Sequence, residues 1–465
     1  MTTNAPSSAV KPTGRRRELL EALLRQQGIA AADPDGIPRL RHEGPAPLSF
    51  AQQRLWFLHQ IDPDLRAYNV AAAIVLEGAV EAGALDLALR DLILRHEALR
   101  TTFPYAGGTP VQSVAPPPQS PLGTVDLQGV AGGETEAWRI AQAEAERPFD
   151  LTAGPLLRAV LLRAGDRSIL VLVLHHIVCD GWSRGILLGE LAELYTERAG
   201  GPPAGLRELP VQYRDFAVWQ RGLDFAEQLA YWRQRLGGAP VLPLPLDRPR
   251  PHARSYRGAL LPLRLPAAVA APLRDLGRDT GTTLFMALMA AFQIVLSRWS
   301  GETDLVVGSP AAGRDRAEIA PLIGFFVNLV GLRSDLAGDP AFPELLQQVR
   351  RHTLEAYAHQ DLPFERLVEE LQPERDLGRH PLFQTMLAFQ GEPGPELRLP
   401  GVRAEVRELH TRTSKYDLLL TLADRQGALE GYLEYDADVF DAATVARLGG
   451  HYLNVLRGVA EGAGR

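Results

Sequence analysis

The run "SILVLVLHH" (168–176) constrains this chain more than any other stretch. From Ile169 to Leu174 every side chain is apolar, and successive strand residues face opposite sides of a sheet. A strand that is apolar on both faces needs cover on both, so it belongs at the centre of a layered α/β structure. The longer segment "GPLLRAVLLRAGDRSILVLVL" (154–174) reads as that strand and a partner, joined by a turn at Gly165-Asp166. Leu85, Leu89, Leu92 and Ile93 recur at helical spacing and supply one covering layer. A second helix is expected over 183–200, with Ser183 as candidate N-cap and Gly200 near its end.

At 465 residues the chain exceeds one ordinary core, and its composition changes sharply at "GGAPVLPLPLDRPRPHARS" (237–255). Proline removes amide donors and favours extended backbone, so this stretch reads as a linker over a surface. The expected division is a tail, short helix and linker over 1–44, a first lobe over 45–236, the proline-rich linker over 237–256 and a second lobe over 257–465. Within the first part, 1–14 reads as disordered. Leu19, Leu20, Leu23 and Leu24 in "RRRELLEALLRQQG" (15–28) then share a helical face that stops at Gly28. The second lobe repeats the mixed pattern: a buried helix over 284–298, a strand over 304–308 and another in "FFVNLVGLR" (325–333).

A formal charge of −7 argues against a nucleic-acid surface. The apolar stretch "TLFMALMAAFQIVLSRW" carries Gln293 and Arg298 and falls short of the roughly 20 apolar residues a spanning helix needs, so no membrane is expected. Cys179 is the sole cysteine, which precludes an intramolecular disulfide. The N-terminus lacks an apolar signal core, so a cytoplasmic location is expected. The lysines are Lys11 and Lys415, every other basic side chain being arginine; this suggests a GC-rich genome.

The central strand runs into "HHIVCDGWS" (175–183). His175 and His176 should point opposite ways at the end of the strand, where ligands commonly sit in open α/β sheets. Three readings compete. A metal site has His175, His176, Cys179 and Asp180 to draw on, but adjacent strand histidines rarely converge on one ion, and no metal is expected. A structural turn would have Asp180 cap the following helix. A catalytic site would have one histidine handle a proton near neutral pH.

"HHIVCDG" resembles the HHxxxDG signature of condensation domains of non-ribosomal peptide synthetases, within a superfamily that includes chloramphenicol acetyltransferase-like enzymes. Further stretches resemble the family's other motifs in the family's order: "LSFAQQRLWFL" (48–58), "RHEALRTTF" (95–103), "YRDFAVWQ" (213–220), "IGFFVNLVGLR" (323–333), "HQDLPFERLV" (359–368) and "RDLGRHPLFQTML" (375–387). The similarity runs from about residue 45 to about 455. It implies two chloramphenicol acetyltransferase-like lobes in a V-shaped pseudo-dimer, with a tunnel between them. It also implies peptide-bond formation between a donor acyl or peptidyl thioester and the amine of an acceptor aminoacyl thioester. Both would arrive on the phosphopantetheine arms of carrier proteins, and no cofactor would be bound by the domain itself.

Carried over by position, His176 matches the family's catalytic histidine and His175 the partner that supports the motif. Asp180 resembles the aspartate of a structural salt bridge, with Arg314 in "GSPAAGRDR" as first candidate partner and Arg54 and Arg100 as the others. Gly181 would leave the donor path open. Ser309, Asn328 and Trp182 are candidates for the tunnel wall. Structural roles are expected for Arg95, Trp56, Tyr213 and Trp219, since large aromatics usually serve packing.

The pair of histidines sets aside the heterocyclising type, which carries aspartates there. Leu174 sets aside a β-lactam-forming variant with a third histidine. The resemblance points to an ordinary elongating domain of secondary-metabolite (antibiotic) biosynthesis, leaning towards a D-configured donor terminus without deciding between D and L. Donor and acceptor carrier proteins are the expected partners, an adenylation domain is expected downstream, and the domain itself is expected to be monomeric and cut from a larger synthetase. Two other classes stay open: a free-standing acyltransferase that uses coenzyme A, and a non-catalytic platform that recruits carriers or other partners.

Overall fold

The computed structural model describes residues 36–40, 44–373, 376, 378–390 and 396–462. The tail and helix expected over 1–28 lie outside them. The first half contributes β1 (Ala46–Pro47), α1 (Phe50–Ile61), β2 (Asn69–Glu77), α2 (Ala82–Arg95), β3 (Thr101–Thr102), β4 (Tyr105–Ala106) and β5 (Thr109–Val114). It continues with β6 (Leu122–Asp126), α3 (Gly133–Glu146), β7 (Leu157–Ala164), β8 (Arg167–His175), α4 (Gly181–Arg198), α5 (Tyr213–Arg221) and α6 (Ala226–Leu236). The second half opens with β9 (Gly258–Leu265), α7 (Ala267–Thr280), α8 (Leu284–Ser300), β10 (Asp304–Ala311), β11 (Asn328–Asp335) and α9 (Phe342–Ala358). It closes with α10 (Phe364–Leu371), β12 (Thr385–Gln390), β13 (Arg403–Glu408), β14 (Leu418–Arg425), β15 (Ala428–Asp436) and α11 (Ala442–Ala460).

Two mixed sheets carry the α/β architecture, in the orders β13-β2-β8-β7-β6 and β11-β10-β12-β14-β15-β9, beside a small sheet of β1, β3, β4 and β5. As its apolar run predicts, β8 is central and buried from Ile169 onward. Ile169, Val171 and Val173 join a core with α3 residues Ala137, Ala141 and Ala145. Leu170, Leu172 and Leu174 face a second core, with Leu85, Leu89 and Leu92 of α2 and Leu187, Leu188 and Leu191 of α4. The expected turn at Gly165 sits between β7 and β8, with Gly165 at φ 61°.

The apolar stretch after Thr283 is α8, capped by the Thr283 hydroxyl at one end and by left-handed Gly301 at the other. Its residues from Met286 to Gln293 are all buried in the second half's core, and no single described helix is long and apolar enough to cross a membrane.

The proline-rich stretch forms no regular element. It is an extended strap, with Leu242 and Leu244 buried and Arg250 and Arg254 paired to Asp417 and Asp436. The packing crosses the cut expected at 237–256 in both directions. Trp232 and Leu236 of α6, drawn into the first lobe by sequence, belong to the second half's core. Ile319, Leu322, Phe325 and Phe326 belong instead to a first-half core, and β13 is the edge strand of the first sheet, antiparallel to β2 from Arg403↔Glu77 to Glu408↔Ala72. "RAEVRE" is mostly charged, as suits an exposed edge, and carries no periodicity that would reveal its partner.

Candidate functional site

β8 ends at His175, and the chain tightens into a short turn over His176–Val178 before α4. His175 is buried; its Nδ1 accepts a hydrogen bond from the Ile177 amide at 3.2 Å, and Phe149 and Tyr68 pack against its ring. Burial first, and His176 next, hold it well below the usual imidazole range, so it is neutral and committed to the turn. The neighbouring ring turns elsewhere, as alternation along the strand requires. His176 is partly accessible, meets Phe325 edge-on with centroids 4.9 Å apart, and its amide donates to the Tyr68 carbonyl at 2.8 Å.

His176 Nδ1 lies 2.6 Å from the Cys179 carbonyl oxygen. A carbonyl only accepts, so Nδ1 carries the proton and Nε2 of the neutral ring presents a lone pair. Burial, followed by the Lys415 ammonium, lowers the His176 pKa to about 4. The ring is therefore neutral at pH 7. Cys179 is buried, and burial pushes its thiol far up, which leaves it no nucleophilic role.

Asp180 is the N-cap of α4; its side chain accepts from the Ser183 amide at 2.8 Å. This corrects the expectation that Ser183 caps the helix. Ser183 is buried in the first turn, its hydroxyl 2.7 Å from Asp180 Oδ1 and bonded to both the amide and the carbonyl of Gly324. Arg314 Nη2 donates to the two Asp180 oxygens at 3.0 and 3.2 Å, with each side chain only 2% exposed. Its Nη1 binds the carbonyls of Ile319 and Leu322, and Phe326 stacks beneath the guanidinium at 4.3 Å. The other arginines considered are engaged elsewhere: Arg54 with Glu365 at 3.2 Å, and Arg100 with the Ala115 carbonyl at 2.6 Å and Glu97.

The loop 319–327 is thereby clamped to the first half. Asp180 Oδ2 accepts from the Phe326 amide at 3.0 Å, Trp182 Nε1 donates to the Ala320 carbonyl at 3.1 Å, and the Tyr213 hydroxyl donates to the Phe325 carbonyl at 2.6 Å. His96 Nδ1 accepts from the Ile323 amide while its Nε2 donates to Glu190. Together these bonds fix the Phe325 ring against His176. Arg95 joins the same carboxylate, Glu190, at 3.0 Å, and Trp56 donates to the Phe103 carbonyl.

Gly181 opens α4 in an exposed position, and a Cβ there would meet nothing within 4 Å. Trp182 is 55% exposed. Ser309 is buried in β10 opposite Val330. Asn328 is used up by the backbone: its amide nitrogen donates to the carbonyls of Gln360 and Leu362 and its oxygen accepts from the Phe364 amide. A side chain so bonded holds the 360–364 turn to β11.

Sequence reasoning missed His96, Phe325 and Lys415. That the chain has just two lysines, Lys11 and Lys415, was the available signal for the last. Among the described residues, no group of three or more His, Cys, Asp or Glu side chains is placed to hold a metal ion.

Comparison with known proteins identifies the family and the fold. The family model described as "Condensation domain" matches residues 42–463. The chain is 46% identical over 450 residues to a linear gramicidin synthase protein of Brevibacillus parabrevis, covering 95% of this chain but 6% of that protein. It is 43% identical to phosphinothricin tripeptide synthetase PhsC of Streptomyces viridochromogenes, covering 97% of this chain and 42% of the relative. The chain thus spans less than half the length of these relatives. Among solved structures, the X-domain from teicoplanin biosynthesis superposes with a TM-score of 0.84 at 31% identity, over 92% of this chain and 98% of that one. The condensation domain of the monacolin K polyketide synthase MokA gives 0.78 at 25% identity, over 90% and 98%.

Proposed function

The chain belongs to the condensation-domain family, and from that premise we propose that it joins a donor acyl or peptidyl thioester to the amine of an acceptor aminoacyl thioester. The observation that carries this reading is the fixed tautomer of His176, with Nδ1 on the Cys179 carbonyl. The acceptor nitrogen attacks the thioester carbonyl carbon to give a tetrahedral intermediate. The C–S bond then breaks, the donor's sulfur leaves as thiolate, and the proton lost by the amine ends on that sulfur.

A free α-amino group has a pKa of about 7.7–8.0, so roughly a tenth or more is neutral at pH 7. The amine therefore needs orientation more than a strong base. A neutral Nε2 lone pair accepts an N–H bond, aims the nitrogen at the carbonyl and takes the proton late, once the intermediate has formed. Gly181 leaves the space through which the donor arm approaches. Asp180 and Arg314 act beneath the site, by holding the loop that carries Phe325.

Elongation, with both substrates on carrier-protein phosphopantetheine and entering a tunnel between two lobes, is the finer part of the proposal. An adenylation domain beside the domain, in a cytoplasmic synthetase, completes it. A solved complex of the X-domain with OxyB, at 31% identity, favours one further reading, a platform that recruits a partner protein. The test loads donor and acceptor carriers with simple aminoacyl groups and follows the acceptor carrier by intact mass, with coenzyme A thioesters in parallel. A dipeptidyl mass from carriers supports the proposal. Product from coenzyme A alone supports a free-standing acyltransferase, and none from any loading supports recruitment.

A further inference from the structure

The loop 319–327 joins β10 to β11 and so belongs to the second half by chain order, yet its aromatic side chains serve the first. At Gly324 a Cβ would lie 2.1 Å from the Tyr213 ring, so only glycine lets the loop run this close to α5. Past that point the two phenylalanines part. Phe326 packs on Arg314, Tyr213 and Phe216, whereas Phe325, 3% exposed, turns its ring to His176. The first half by itself holds the His176 ring at a single point. Among the described residues the imidazole has one hydrogen bond to another residue, from Nδ1 to the Cys179 carbonyl, and the amide bond to Tyr68 fixes backbone rather than ring. The terminal torsion of a histidine is broad and roughly two-fold. A half-turn about it puts a carbon where Nδ1 was and carries Nε2 elsewhere. Phe325 stands against that swing, 4.9 Å away between centroids with the planes at 60°, within the range where edge-to-face aromatic pairs attract.

We propose that Phe325 is a positioning residue of this site: a ring supplied by the second half that locks the His176 imidazole with Nδ1 on the Cys179 carbonyl and Nε2 free for the substrate. The backbone on both sides of that ring is tied to the first half. The Gly324 amide donates to the Ser183 hydroxyl at 3.0 Å, the Phe325 carbonyl accepts from the Tyr213 hydroxyl at 2.6 Å, and the Phe326 amide donates to Asp180 at 3.0 Å. The reacting centre is therefore a joint product of the two halves, the histidine from one and its wall from the other. The inference rests on the peptide-bond reading given above, because Nε2 is the atom that meets the amine in that reaction.

The experiment compares wild type with Phe325→Leu, Phe325→Met and Phe216→Leu, all with 15N-labelled histidine. Phe216 shares the same core and packs on Phe326 at 4.8 Å, so Phe216→Leu removes a ring from that core at a place with no ring contact to His176 among the described residues. Long-range 1H–15N spectra separate the Nδ1–H from the Nε2–H form of a neutral imidazole, with His176 assigned by its loss in His176→Ala. Wild type and Phe216→Leu should show His176 in the Nδ1–H form alone. The two Phe325 variants should show both forms. Their kcat for dipeptide formation should fall roughly tenfold, the scale of one lost aromatic pair, with KM for either loaded carrier unchanged. A general loosening of the core would instead affect Phe216→Leu equally. A folded Phe325 variant that keeps the Nδ1–H form alone, or a Phe216→Leu protein that matches the Phe325 variants in both readouts, overturns the proposal. If wild type makes no dipeptide at all, the peptide-bond reading fails, while the spectra still decide whether Phe325 holds the His176 ring.

Discussion

Asp180→Asn is nearly isosteric and tests what holds the site together. The native carboxylate receives donors from Ser183, Phe326 and Arg314. Asparagine keeps one accepting oxygen, but its NH2 group must face a donor, the Phe326 amide or the guanidinium. It also strips the counter-charge from Arg314, whose remaining partners are the carbonyls of Ile319 and Leu322.

Breaking a buried pair by removing one partner costs about 3–5 kcal/mol. Asp180 and Arg314 side chains are each 2% exposed, so solvent does little to soften that cost. Against a total stability of about 5–15 kcal/mol the loss is large. Differential scanning fluorimetry should show a melting point lower by on the order of 10 °C. Arg314→Met should do similar damage, and the double variant should be destabilised by at least about 2 kcal/mol less than the sum, since it removes both charges. A soluble Asp180→Asn protein that melts with wild type, or a double variant whose losses simply add, would refute the reasoning.

Other expectations follow from the same contacts. Gly324→Ala places a Cβ 2.1 Å from the Tyr213 ring, so urea unfolding should show a loss of about 1–3 kcal/mol. Gly181→Leu enters open space; its stability should stay within about 0.5 kcal/mol of wild type while condensation with carrier-bound donors falls, and unchanged rates would remove Gly181 from the donor path. His176 and His380 are held near 4 and 3, mainly by burial, below the unfolded value of about 6.5. Their contribution is complete above the unfolded value and is lost as pH falls towards the folded ones. Each therefore costs on the order of 2 kcal/mol by pH 5. The melting point should fall from pH 7.5 to pH 5, and less steeply in His176→Ala. His176→Ala should also impair ester formation with an alcohol acceptor more than amide formation with a matched amine, because an alcohol must lose its proton as it attacks; equal losses would argue against an orienting role.

The central strand was legible because burial on both faces leaves a continuous apolar run, and Ile169–Leu174 shows one. The turn residues His175, His176, Asp180 and Gly181 were legible for the same reason: they follow that strand without interruption. Choosing Arg314 over Arg54 and Arg100 was not, since all three are arginines near motif residues and only the fold brings one to Asp180. β13 was hidden by its charge pattern, and α6 by the proline strap that follows it, because neither pattern specifies a partner distant in sequence. The backbone bonds of Asn328 were not legible, because an amide beside a site looks the same in sequence whether it serves substrate or backbone.

The account's central claim is that a neutral, tautomer-fixed His176 orients and deprotonates an attacking amine. The most direct test mixes aminoacyl-loaded donor and acceptor carriers with wild type and with His176→Ala, and quantifies dipeptidyl acceptor by intact mass at early times. The account predicts dipeptide from wild type and a rate lower by roughly 100-fold or more in a variant that still melts normally. Dipeptide formed at an undiminished rate by His176→Ala would contradict it.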